Sequence, residues 1–409
     1  MTGQRAASEP YATRFETEVT AIDGRQVWLE TSFFYAESGG QPADHGTIGN
    51  VDVEDVRLVD GEVVHVLAEE PSFRAGHRVL CSIDWAFRMY CMRAHTASHV
   101  LYGAARRCCE SLGYGGFDIG EQKVRVDLET DTKVDDDLLV ELDELVNRAV
   151  WESRPVSWES VQVADARERQ EIAFNEATEE EAVTNGQVRV VTIGGPEDNG
   201  SANGSSDPLD VAACGGTHVR NTREIGPVTV LGRSNPGKGL TRIEFAVGPA
   251  AIERTTAEKH TTFAAKDALG VAIEDVPSEL ERILTERETL RDELNATKGE
   301  LLEARVEAAE PLKCASERWL VTAVDGVSAN DASDVVREVA GERADVVVVA
   351  GKEGSTFAVV GTDGSRAATD VVDELTDEFG GGGGGSDRVA QAGGFDASPE
   401  EIVDALGVH

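Results

Sequence analysis

Lysine is almost missing from this chain: eight occur in 409 residues, so arginine supplies thirty of the 38 basic side chains. Against them stand 76 acidic residues, a net charge of −38. The acid is spread along the chain rather than gathered into a tail, a pattern that points to adaptation to very high salt. Such a surplus ordinarily argues against nucleic acid as a partner. In concentrated salt, however, long-range attraction is screened and short, direct contacts decide binding. Charge therefore leaves the partner open. Cysteine is scarce as well. Six are scattered over the chain, which speaks against a secreted disulfide scaffold and favours a reducing cytosol. No apolar run approaches the length of a membrane span, and Met1-Thr2-Gly3-Gln4-Arg5 does not open a signal peptide. The expectation is a cytoplasmic protein without membrane attachment, built from three or four units.

Several catalytic motifs are also missing. The residue after His95 is Thr96 and not Glu, so the helical His-x3-His here lacks the general base of the zinc proteases. The six glycines at 380–385 are not followed by Lys-Ser/Thr, so no P-loop is present. No Asp-His-His sequence of a DHH-type phosphoesterase occurs.

What is present is a set of metal ligands. His95 and His99 stand four residues apart in a segment, from Asp84 to about Leu112, that reads as a helix stopped at Gly113. On a helix that spacing puts both imidazoles on one face, separated by a rise of about 6 Å. Cys214-Gly215-Gly216-Thr217-His218 offers a thiolate and a third imidazole. In an extended chain its two ligands would stand about 13 Å apart, and the glycines permit a tight reversal that turns both inward. Either pair alone is weak. Together they make a four-ligand set for one Zn2+ per chain, with His95, His99, Cys214 and His218 as ligands. Cys81, Cys91, Cys108, Cys109 and Cys314 lack such partners and read as core or incidental thiols.

Around these clusters the pattern changes along the chain. Residues 15–80 read as short strands of a small β-barrel, with Val19, Val27, Leu29 and Val63–Val66 facing inward and turns at Asp23-Gly24 and Asp60-Gly61. The stretch from Phe34 to Gly46 is either a plain glycine turn or a pocket element with Gln41 and Asp44 as its polar groups. His45 and His65 read as ordinary histidines. Gly115-Gly116 leads into a strand at 123–128, an amphipathic helix follows at 135–152, and strands are expected at 156–163 and 188–193 with a polar helix between. Residues 194–208, rich in Gly, Asn, Ser and Asp, read as an exposed, mobile insertion. Lys238 and Arg242 flank a strand turn and either meet phosphates or decorate solvent. Residues 278–310 carry Leu280, Ile283, Leu290, Leu294 and Leu301 at alternating three- and four-residue steps, interrupted by Arg287 and Thr297. This is the seam of a coiled coil or helical hairpin, and a route to a homodimer, or else one long surface helix. After Pro311 strands and helices alternate as in a compact α/β unit. Its glycine run and Arg388 either contact phosphate or ribose or form a linker.

Taken together, these pieces resemble the alanyl-tRNA editing proteins (AlaX), free-standing relatives of the editing region of alanyl-tRNA synthetase. The resemblance runs from about residue 15 to the C-terminus. It is carried by His95-x3-His99, Cys214-Gly-Gly-Thr-His218, the stretch Tyr35–Gly46, Arg242-Ile243-Glu244, and the glycine run with Ala390-Gln391-Ala392-Gly393-Gly394. It implies an α+β multidomain chain of the long AlaX form. Its parts would be a β-barrel at 1–84, a zinc-binding editing domain at 85–250, a helical coiled-coil linker at 251–310, and a C-terminal α/β domain with a glycine-rich loop at 311–409. The implied activity is hydrolysis of serine, and of glycine, wrongly esterified to alanine tRNA. An alanine pocket rejects such near-isosteres poorly, so a second site must remove the error. The ester is activated, so a site that orients it beside a polarised water needs no protein nucleophile. Expected pocket residues are Gln41, Asp44, Gly115, Gly116 and Thr217. Expected RNA contacts are Lys238, Arg242, Gly382 and Arg388. Two other readings stay open: a zinc-stabilised tRNA-binding module without catalysis, and an alanyl-tRNA synthetase-like protein. The barrel's start near Phe15 counts against an aminoacylation core upstream.

Overall fold

The computed structural model describes residues 4–169, 171–174, 183–184, 186–195, 207–314 and 316–407. The chain divides into two compact units, residues 1–264 and 265–409.

The first unit opens with six strands, β1 (Arg14–Asp23), β2 (Gln26–Leu29), β3 (Gly46–Ile48), β4 (Val51–Val59), β5 (Glu62–Leu67) and β6 (Arg78–Ile83). They close into the expected barrel in the order β1-β2-β5-β4-β3-β6. Strict alternation drives the closure: along β6 every second residue is buried. Val19, Val27, Leu29, Phe34, Ile48, Val56 and Leu67 fill the interior. Between β4 and β5, Asp60 (φ 51°) and Gly61 (φ 80°) form a two-residue hairpin turn with both central residues left-handed. His65 is the satisfied histidine expected. It is buried, bonded to Ser32 Oγ (2.8 Å) and Val27 O (3.0 Å), and burial pushes its pKa down to about 4.

Helix α1 (Trp85–Cys108) follows β6 without a linker, because Asp84 caps it by accepting from the amides of Ala86 and Phe87. Then come β7 (Gly113–Ile119), β8 (Val124–Glu129), α2 (Asp136–Trp151), β9 (Val156–Gln162), α3 (Val163–Glu168), β10 (Val183–Thr184), β11 (Gln187–Ile193), β12 (Asp210–Ala213), β13 (Val228–Gly237) and β14 (Leu240–Val247). They form two antiparallel sheets, β13-β14-β8-β7 and β10-β11-β12 with β9 on β11. One hydrophobic core joins α1 to α2 and to strands of both sheets through residues such as Leu101, Val126, Leu142, Ile193 and Phe245. Of the expected mobile insertion, 196–206 lie outside the described residues, as does most of the expected polar helix beyond α3. Helix α4 (Pro249–Leu269) comes next.

The second unit contains α5 (Val276–Ala308), β15 (Leu312–Cys314), β16 (Glu317–Asp325), α6 (Ala329–Val339), β17 (Val346–Glu353), β18 (Ser355–Thr362), α7 (Ala368–Phe379), β19 (Gly382–Gly385), β20 (Val389–Phe395) and α8 (Pro399–Gly407). The sheet order is β15-β16-β17-β18-β20-β19, with β16 and β17 parallel. Strand β17 is apolar on both faces. Val346, Val348 and Ala350 meet α7 and α8, while Val347 and Val349 meet α6 and the end of α5. A continuous valine run is therefore a strand buried on both sides. The glycine run departs from the expected loop, because Gly382–Gly385 pair with Ala390–Gly393 as the edge strand. Glycine is needed there for closeness: a Cβ on Gly383 would lie 2.5 Å from that of Ala392. The heptad segment is a single helix of 33 residues, with only Leu302 and Val306 buried. Leu280, Leu290, Leu294 and Leu301 stay about half exposed.

One contact seats α1 on the barrel. Arg88 and Asp44 form an ion pair with both side chains 0% exposed. Arg88 Nε donates to Asp44 Oδ1 (2.9 Å), and its terminal nitrogens donate to Pro10 O (2.7 Å) and Phe33 O (2.7 Å). Asp44 Oδ2 also accepts from the Tyr35 amide at 2.6 Å. Removing one partner strands a buried charge. Asp44→Ala is expected to cost about 3–5 kcal/mol in denaturant unfolding, whereas a loss below about 1 kcal/mol, the range of a surface pair, would show that the joint is not built this way.

Candidate metal centre and the cleft beside it

Helix α1 is buried on more than one side, and its middle turn carries His95, Thr96 and His99 into the core of the first unit. Strand β12 delivers the other half. Ala213 ends the strand, and Cys214-Gly215-Gly216-Thr217-His218 crosses the helix face. His95, His99, Cys214 and His218 come together with one ligand atom each, all within 4.8 Å of one another. Cys214 Sγ lies 3.3 Å from His95 Nε2 and 3.2 Å from His218 Nε2. Tetrahedral ligands around zinc, with Zn–N about 2.0–2.1 Å and Zn–S about 2.3 Å, stand roughly 3.3–3.6 Å from each other, so these separations fit.

Each imidazole is also held from behind. Thr96 Oγ1 spends its proton on Met92 O (2.8 Å), so towards His218 Nδ1 (3.2 Å) it must accept. Gln41 donates its amide nitrogen to Thr217 Oγ1 (2.9 Å), and its carbonyl oxygen accepts from the Thr217 amide (3.0 Å) and from His95 Nδ1 (2.9 Å). Asp210 Oδ2 accepts from His99 Nδ1 at 2.7 Å. All three rings thus carry a proton on Nδ1 and turn Nε2 inward, the nitrogen that would serve a metal. The donor set fits zinc.

The charges agree. Burial alone would raise the Cys214 thiol, but the charge and hydrogen bonds of His95 and His218 outweigh it and hold the thiol well below the ordinary cysteine value. Burial opposes a proton on His99, yet Asp210 and the Cys214 sulfur raise its pKa to about 10. Cys81 and Cys91 differ sharply: burial pushes both thiols up to about 12. His99 would have to give up that proton to hold a zinc ion, so metal affinity is expected to rise with pH between about 6 and 8. Chelator competition at the two ends of that range checks this, and a pH-independent affinity would contradict it.

Gly215 and Gly216 do not act as a left-handed turn, since neither has a positive φ. Gly216 is there for close approach. A Cβ at this position would lie 2.1 Å from His95 Cε1 and 2.3 Å from its Nδ1. Gly216→Ala should therefore push His95 from its place and weaken zinc binding by about tenfold or more, measured by the same competition. Unchanged affinity would refute the contact.

Beside the ligands lies a small cleft with a cavity volume of about 30 Å3, lined by Gly39, Ser98, Tyr102, Tyr114, Phe117, Phe174 and Ala212 with His95, His99 and Cys214. Phe117 stacks on His95 with centroids 4.6 Å apart. Its walls are aromatic and alkyl, and Ser98 donates its hydroxyl to His95 O. Not every expected pocket residue reaches it. Asp44 is committed to Arg88 and Tyr35. Gln41 and Thr217 stand behind His95 as supports. Gly115 faces Leu240, where a Cβ would come within 2.7 Å, and Gly116 lies at a bulge over Asp127, so their neighbours Tyr114 and Phe117 supply the wall. Lys238 (φ 57°) forms the exposed hairpin tip between β13 and β14. Arg242 makes a bidentate pair with Asp127 at 2.7 and 2.8 Å. Gly382 and Arg388 lie in the second unit, exposed. Asp210 was missed by sequence reasoning. A carboxylate opening an otherwise apolar four-residue strand was the available signal, since buried acids need partners.

Comparison with known proteins now has a site to meet. Residues 188–244 match the family described as "Threonyl and Alanyl tRNA synthetase second additional domain", and residues 7–87 match "tRNA synthetases class II (A)". Alanine–tRNA ligase of Pyrococcus abyssi is 32% identical over 412 residues, covering 97% of this chain and 42% of that protein. The chain is similar to this alanyl-tRNA synthetase over part of that protein's length. The same ligase of Methanopyrus kandleri is 32% identical over 379 residues, 90% of this chain and 40% of its own length. The chain thus spans less than half the length of these relatives. A solved structure, the C-Ala domain of Aquifex aeolicus alanyl-tRNA synthetase, aligns with 24% of this chain and 93% of its own at 22% identity and a TM-score of 0.21. Cys214 and His218 fall inside the second-additional-domain match, whereas His95 and His99 lie outside both matched segments.

Proposed function

We propose that this chain is a trans-acting editing protein of the AlaX type, a deacylase that removes serine, and glycine, from wrongly charged alanine tRNA in the cytoplasm. The observation that carries the reading is the ligand cluster on the floor of a small aromatic cleft, in a chain related to alanyl-tRNA synthetase. When bound, zinc would supply Lewis acidity at the ester or hold the substrate's amino group. The chain's own residues do the rest. Phe117, Phe174, Tyr102 and Tyr114 exclude bulk water and confine a small aminoacyl ester. Gln41, Thr96 and Asp210 keep the imidazoles in one tautomer. No side-chain nucleophile is assigned, because an oriented activated ester needs only water.

RNA would be met in the first unit by Lys238 and Arg242 and, separately, in the second unit by Gly382 and Arg388. Arg242 would keep its pairing to Asp127 and still offer charge from the partly exposed face of its sheet. No helix in the described residues is long and apolar enough to cross a membrane. Dimerisation through 278–310 remains part of the proposal, supported by the exposed leucines of α5. A second reading, a tRNA-binding module in which zinc only shapes the pocket, is favoured by one observation: four protein ligands close a tetrahedral ion.

The test is hydrolysis by purified protein in high salt of serine and of alanine from alanine tRNA, followed separately. Serine is expected to leave much faster. Binding without hydrolysis would favour the module reading, and equal rates for the two amino acids would end the editing claim.

A further inference from the structure

Arg189, on β11, is a partly buried cation for which the described residues hold no carboxylate within ion-pair distance. Nη1 donates to Cys214 O at 2.7 Å and to Gly216 O at 3.0 Å. Nη2 donates to Ala7 O at 2.9 Å. The guanidinium lies over the Trp158 ring, 5.0 Å from its centroid, and Nε is buried without a partner among the described residues. The backbone repeats the grip, since the Cys214 amide donates to Arg189 O at 3.0 Å. Drawing an arginine partly out of water, with its Nε buried and no carboxylate beside it, costs free energy that neutral carbonyls and one indole face recover only in part. A side chain retained at such a place is doing something a smaller, neutral residue does not.

What it does follows from where its donors point. The two carbonyls held by Nη1 bracket Gly215, so one nitrogen fixes the segment that carries the Cys214 sulfur and the Gly216 Cα. Gly216 is the residue with no room to move: the space beside it belongs to His95. A small rotation of this segment would either drive Gly216 into the ring or withdraw the sulfur from it. The third hydrogen bond reaches the N-terminal segment. There the Arg5 amide donates to Ser32 O on the barrel, and Pro10 O accepts from Arg88.

We propose that Arg189 is a positioning residue of the metal centre, whose planar fork sets the Cys214–Gly216 segment against His95 and ties it to the N-terminal segment. It touches neither ion nor substrate. The inference concerns the centre itself, so it stands or falls apart from the editing reading. A lysine keeps the charge but lacks the fork, so Arg189→Lys separates geometry from charge, and Arg189→Met removes both. The experiment measures zinc affinity of the full chain by chelator competition in high salt, without tRNA, beside the thermal midpoint of each metal-free protein. Both variants are expected to lose about tenfold or more in zinc affinity, the scale of an orienting partner's removal. If Arg189→Met does not fold, Arg189→Lys alone decides. Wild-type zinc affinity in Arg189→Lys, whatever its thermal midpoint, would overturn the proposal.

Discussion

The two halves of the ligand set lie more than a hundred residues apart, and everything else in the first unit serves to hold them within a few ångströms of each other. The Cys214–Gly216 segment is crowded against His95 in that arrangement. The sulfur stands 3.3 Å from the ring nitrogen, and Gly216 leaves no space for a single extra carbon. Such crowding survives only if both sides are clamped. On one side α1 is locked to the barrel by Arg88, Asp44 and two backbone carbonyls. On the other, the Cys214 segment is held by Arg189 and by β12, which pairs with β11 through Val190, Val191, Thr192 and Ile193. The barrel thus supplies Gln41 behind His95 and a fixed seat for the helix.

The scarcity of lysine takes on a second meaning inside the molecule. High salt accounts for an acidic surface, but the structural joints of the first unit use arginine for its shape. Arg88 serves a carboxylate and two carbonyls, Arg189 serves three carbonyls, and Arg242 meets both oxygens of Asp127. Each task needs several donors in one plane, which an ammonium cannot offer.

What could be read in advance follows the same division between local and distant causes. His-x3-His on one helical face, alternation in the barrel strands and the valine run of β17 are local patterns, and each was legible in the chain. The four-residue cluster that could hold a metal was legible because ligand chemistry limits the residue types to so few. Contacts across the chain were not. Asp44 looked like a pocket acid, and only the fold brings it to Arg88. The glycines at 215–216 suggested a turn, because sequence shows glycine's freedom but not the ring that needs the vacant volume. Likewise the run at 380–385 suggested a loop, and its partner strand β20 makes it an edge strand. Asp210 was hidden at the border of a polar segment, although its burial gives it a definite task at His99.

The central claim is that these four side chains share one ion. X-ray absorption at the zinc edge of the purified protein tests it most directly. The account predicts one zinc per chain, with one sulfur at about 2.3 Å and three nitrogens at about 2.0–2.1 Å. A shell without sulfur, a shell dominated by oxygen, or protein that takes up no zinc would contradict it.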